Sequence, residues 1–173
     1  AEGVVELSRN KGAAIRSLSL KQTLEVLDVA ERMTGLLAKS AAQGIADGHP
    51  PASIEQALRE LTQADKAHDT EAFAAARRSL YRALLEASGS QELRRLFPSI
   101  QMHIVYAQHR PATLQKVRMR DYQAMSDAIL AGNAQAACAA APDPRRARGA
   151  AERAHAADPV RRNRERNRQK RVI

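Results

Sequence analysis

Arg77 and Tyr81 stand four residues apart in AFAAARRSLYRALLEASGSQELRRL, the stretch from Ala72 to Leu96. With Phe73, Leu80 and Leu84 they fall at i, i+4, i+7, i+8 and i+11, one face of an amphipathic helix. An arginine and a phenol are therefore expected on the side that turns inward. A guanidinium presents a planar fork of donors suited to a carboxylate or phosphate, and a phenol adds a further donor. Later in the chain, Arg118, Tyr122, Met125 and Ile129 share a helix face, which places a second cation and a second phenol on one side. Such an arginine either meets an acidic group of another molecule or pairs with a buried carboxylate of the protein itself. Glu25, Asp28, Glu31 and Glu86 are helix acids, whose ordinary role is a solvated face or a surface ion pair. The sequence contains no phosphate-cradling loop, dinucleotide turn or nucleophile elbow, so no enzyme is expected.

The elements that must position these residues are helices. Ser19 is placed to cap a first helix from about Leu20 to Gln43, with Val26, Val29, Met33, Leu36 and Leu37 as its apolar stripe. Gly44 and Asp47-Gly48-His49-Pro50-Pro51 are expected to end it. Ser53, with Gln56 completing a capping box, opens a second helix to about His68, buried through Ile54, Leu58 and Leu61. Asp69-Thr70-Glu71 caps the third, which Ser88-Gly89-Ser90 breaks. Gln91 opens a fourth, with a kink expected at Pro98. A fifth runs roughly from Thr113 to Ala131 and stops at Gly132-Asn133. A sixth, Ala134 to Ala141, is cut by Pro142-Asp143-Pro144. Before all of these, Val4, Val5 and Leu7, the turn-forming Arg9-Asn10-Lys11-Gly12 and then Ile15 read as two short strands around a basic loop.

Composition supports an all-α reading. The chain has 173 residues, no tryptophan, two phenylalanines and three tyrosines, so its core must be aliphatic and rich in alanine and leucine. The single cysteine, Cys138, lies in an alanine-rich run and reads as a small core hydrophobe. One cysteine, no signal peptide and no long apolar span point to a cytoplasmic setting and no membrane partner. The net charge of +9 is not spread evenly. From Arg145 to Ile173 there are eleven Arg/Lys against three Asp/Glu, 11 − 3 = +8, which leaves +1 for the other 144 residues. The picture is a near-neutral helical body with a basic tail rather than a basic domain. That tail lacks interleaved aromatics, so a solvated role is favoured over nonspecific nucleic-acid binding, which stays open as an alternative.

The helix-SGS-helix pattern at Ala72–Leu96 resembles the effector-binding (FCD) domain of FadR-type regulators in the GntR family of transcription regulators. The phrase AILAGNAQAA, residues 128–137, is similar to a segment of the same domain, and the strand pair over residues 3–17 is similar to the wing that ends its DNA-binding winged helix-turn-helix. The resemblance implies an antiparallel bundle of about six helices over residues 18–141, a wing remnant over 1–17 and an atypical basic tail over 142–173. Nothing similar to the three helices before the wing is present, and the expectation is a truncated chain. The resemblance also implies a homodimer that binds operator DNA, with Arg9, Asn10 and Lys11 as the remaining DNA contacts.

Many relatives hold a divalent metal with one Asp and three His. The matching positions here are Arg77, Tyr81, Tyr122 and Pro144. A guanidinium repels a cation, and phenols and a proline do not rebuild the site, so no metal or other cofactor is expected. His49, His68, His103, His109 and His155 do not reconstruct one either. Arg77 would supply directly the positive charge that the metal gives elsewhere. The expected effector is therefore a small carboxylate contacted by Arg77, Tyr81 and Tyr122, with Met33, His103, Arg118 and Met125 as secondary contacts. Ala30 stands where ligand-binding relatives carry an arginine, and Arg32, two residues on, faces elsewhere. A helical dimerisation module without a ligand is the alternative, expected if aromatics fill the former cavity.

Overall fold

In the computed structural model the described residues are 5–8, 12–15, 19–100, 112–142 and 149, with side chains described over 19–100 and 119–142. Among the described residues six α-helices follow a pair of strands. Strands β1 (Val5–Ser8) and β2 (Gly12–Ile15) pair antiparallel, Val5 opposite Ile15 and Ser8 opposite Gly12. The helices are α1 (Leu20–Ala46), α2 (Ala52–Lys66), α3 (Thr70–Ala87), α4 (Gln91–Leu96), α5 (Ala112–Leu130) and α6 (Ala134–Ala140). A short 3-10 turn at Phe97–Ser99 follows α4 and contains Pro98, so that proline ends the helix rather than kinking it. α2 lies along α3, α6 along α1 and α5, and α1 also meets α3 and α5.

Local chemistry sets most helix starts. The Ser19 hydroxyl accepts from the Gln22 amide N–H at 3.2 Å, and the Gln22 side chain accepts from the Ser19 N–H at 3.0 Å, a complete capping box. Asp69 accepts from the N–H groups of Glu71 and Ala72 at 3.0 and 2.9 Å, Ser90 caps α4 and Asn133 caps α6. Each cap contributes on the order of 1 kcal/mol. The expected box at Ser53 does not form. α2 opens after Pro51 without a side-chain cap, and the Gln56 amide donates instead to Glu60 at 2.7 Å. Proline at the threshold already presets the backbone angle, which makes the serine cap redundant.

α1 differs from expectation in two ways. It runs through Gly44 to Ala46, because Gly44 has a packing role rather than a stopping one. A Cβ at that position would lie 1.8 Å from the carbonyl oxygen of Ala87, so only glycine lets α1 and the end of α3 approach so closely. The turn follows at Gly48, whose φ is +96°. The buried face of α1 is also rotated from the stripe read in the sequence. Thr23, Leu27, Ala30, Thr34, Leu37, Ala38, Ala41 and Ala42 face the core, while Val29 and Leu36 are 52% and 51% exposed. Small residues won the inward side because α6 and α3 approach too closely for larger ones.

The core itself is aliphatic, as the composition requires. Leu37, Ile54, Leu61, Leu80, Leu84 and Ile129 are fully buried in one cluster with Tyr122 and Met125. Burying each of the large aliphatic side chains is worth about 1.5–3 kcal/mol. Cys138, expected inside, is exposed on α6, with its Sγ lying beside Gly35 of α1 at the rim of that contact. Among the described residues no helix is long and apolar enough to cross a membrane.

Candidate functional site

α3 and α5 carry the residues singled out for effector recognition. On α3, Phe73, Leu80 and Leu84 are buried, and Arg77 and Tyr81 are half-buried at the edge of that face. On α5, Tyr122, Met125 and Ile129 are fully buried, the i, i+3, i+7 positions of one face. The two helices bring three rings together. Tyr122 meets Tyr81 edge-on, with centroids 6.2 Å apart at 87°, and Phe73 at 6.4 Å and 53°. Phe97, from the turn after α4, reaches Tyr81 at 5.2 Å. Edge-to-face pairs of this kind add about 0.5–1.5 kcal/mol beyond the area they bury.

The ring layer therefore assembles Tyr81 and Tyr122, with Met125 buried in the same cluster and Met33 of α1 packed against it. Arg77 lies one helical turn from Tyr81, on the same side of α3. The side chain of Arg118 and all of His103 lie outside the described residues, as do Arg9, Asn10, Lys11 and Pro144. Phe97 was missed by sequence reasoning. Its position next to Pro98 suggested a bend, and nothing in its spacing pointed back to Tyr81.

The hydroxyls of Ser126 on α5 and Thr23 on α1 are buried without a hydrogen-bond partner among the described residues. Such groups cost about 1–3 kcal/mol each unless water or a ligand satisfies them. The donor set does not suit a cation. Arg77 is itself a cation and Tyr81 and Tyr122 are phenols, and no cluster of three or more His, Cys, Asp or Glu forms among the described residues. A separate open hollow of about 520 Å³ lies at the carboxyl ends of α1 and α3. It is lined by Ser40, Gln43, Asp47, Ser88 and Gly132, and it sits at the other end of α3 from Phe73.

The FCD domain family profile matches residues 25–143, which spans α1 to α6. The chain belongs to the FCD domain family. Among solved structures it is similar to the metal-free FCD domain of TM0439, a proposed transcriptional regulator. That match has 16% identity and a TM-score of 0.59, and it covers 82% of this chain and 94% of the other. At that identity the likeness establishes the fold. A search of curated proteins finds no match.

Proposed function

We propose that the bundle is the effector-sensing and dimerisation domain of a GntR-family regulator of the FadR type, tuned to a small organic acid without a metal. Membership of the FCD domain family makes it the effector-binding part of a transcription regulator. One observation supports the finer reading: the rings of Tyr81 on α3 and Tyr122 on α5 meet edge-on, with Arg77 one helical turn from Tyr81. In this reading Arg77 holds the carboxylate of the effector, Tyr81 and Tyr122 donate to its oxygens, and Met33, Met125, Arg118 and His103 shape the remainder. The hairpin is the wing of a winged helix, with Arg9, Asn10 and Lys11 against the phosphates of operator DNA, and residues 142–173 form a basic appendage. The working compartment is the cytoplasm, where operator DNA resides.

The close ring packing favours a second reading, a dimerisation module in which aromatic side chains have taken the volume of an effector. Thermal unfolding against a panel of small carboxylates and sugar acids, with EDTA present, separates the two. The sensor reading expects a concentration-dependent rise in midpoint that survives EDTA and is lost in Arg77→Gln. A rise abolished by EDTA overturns the metal-free assignment. A flat response to the whole panel, in a protein whose Tyr122→Phe variant unfolds at the same temperature, supports the ligand-free module.

A further inference from the structure

The open hollow at the carboxyl ends of α1 and α3 has helix ends for walls. Ala46 and Asp47 close α1, Ser88 closes α3, and Gly132 lies in the turn that closes α5, so three helices bring their carboxyl ends to one space. Each such end carries about half a negative charge. None of the three has a basic residue in its last turn, whereas α2 has Lys66 and α4 has Arg94 and Arg95. The short α6 also lacks one. The lining adds one further negative charge, Asp47, and no positive one. That carboxylate is exposed and forms no ion pair among the described residues.

Backbone acceptors are left over here. Arg94 takes the carbonyls of Leu85 and Glu86, at 3.4 and 3.5 Å. The Ala46 carbonyl accepts no hydrogen bond among the described residues, because Pro50, four positions on, has no N–H to offer. Close packing keeps the walls bare: Gly44 lies against the Ala87 carbonyl, and a Cβ at Gly132 would come 3.3 Å from that of Ala46. Ser40 and Gln43 add a hydroxyl and an amide oxygen to the lining.

We propose that this hollow is a binding site for a small aliphatic amine, separate from the effector site on α3 and α5 and not dependent on it. A primary ammonium brings one positive charge and three donors. The Asp47 carboxylate, the Ala46 carbonyl and the side chains of Ser40 and Gln43 are its acceptors, and the three helix ends favour its charge. The same ends repel an anion. A divalent ion is poorly served, since calcium gathers roughly six to eight oxygens at about 2.3–2.6 Å and the lining offers one carboxylate in an open space. The volume of about 520 Å³ is in the range of small-molecule sites. Arg77 stands about 15 Å back along α3 from Ala87, so the two sites do not overlap. An amine in the hollow ties together the ends of α1, α3 and α5 and so stabilises the folded bundle.

Isothermal titration calorimetry of the full chain with putrescine tests the site, with butanediol as the uncharged match and calcium as the metal. The net charge of +9 disfavours nonspecific uptake of an amine. One-site binding of putrescine with a Kd below about 1 mM is expected, and none of butanediol. Asp47→Asn, at an exposed position, should keep its helical circular dichroism and bind at least about tenfold more weakly. Arg77→Gln should bind putrescine with the wild-type constant, so failure here is distinguishable from failure of the carboxylate sensor. No saturable binding up to about 20 mM overturns the inference. So does unchanged affinity in Asp47→Asn, equal binding of butanediol, or calcium that binds where putrescine does not.

Discussion

Two interiors of this bundle are built on opposite rules. Where α1 meets α3 and α6, contact is made by backbone and small side chains: Gly35, Ala38, Ala41, Ala42 and Gly44 on one side, Ala87 and Ala137 on the other. Where α3 meets α5, the space is filled by rings, Phe73, Tyr81 and Tyr122, closed by Phe97. The first contact is set by distance and tolerates almost no added atom. The second is set by volume, and many shapes with similar volume satisfy it. The ring layer can therefore accept exchanges of side chain that the small-residue seam cannot.

Four substitutions measure that contrast. The largest effect belongs to Gly44→Ala, which forces α1 away from the Ala87 carbonyl; about 4 kcal/mol or more should be lost in urea unfolding. A loss under 1 kcal/mol would show that the seam yields and the contrast is false. Tyr122→Leu keeps the ring layer apolar at smaller volume, and a loss of about 2–3 kcal/mol is expected, well short of the Gly44 effect. Gly132, at φ +68°, would bring a Cβ to 3.3 Å from that of Ala46, so Gly132→Ala should cost about 1–2 kcal/mol through strain at the turn into α6. The smallest effect has the opposite sign. Ser126→Ala removes a buried hydroxyl with no partner among the described residues, and a gain of about 0.5–1 kcal/mol in midpoint-derived stability is expected. A clear destabilisation by Ser126→Ala would mean that water or another group satisfies it in solution.

The same contrast explains what could be read from the sequence. Helix order, the Ser19 and Asp69 caps and the Ser88-Gly89-Ser90 break were legible because each rests on backbone chemistry within four residues. The buried faces of α3 and α5 were legible because large apolar side chains mark them. The buried face of α1 was not. Its alanines carry little hydropathy signal, and the louder Val29 and Leu36 pointed the wrong way. Gly44 was read as a stop for a related reason: a glycine required by another helix looks the same in one dimension as a glycine that ends its own. The Tyr81–Tyr122 meeting was anticipated only through family resemblance, since no local pattern links positions so far apart. The role of Phe97 was not anticipated at all.

The contact of Gly44 with the Ala87 carbonyl also acts mechanically. With the close approach of Gly35 to Cys138 it fastens the carboxyl-terminal half of α1 at two points, so that half does not slide and the amino-terminal half is the lever. Ser19 is about 24 Å along the helix from Gly35 at 1.5 Å of rise per residue. The end that moves farthest is the one joined to the hairpin.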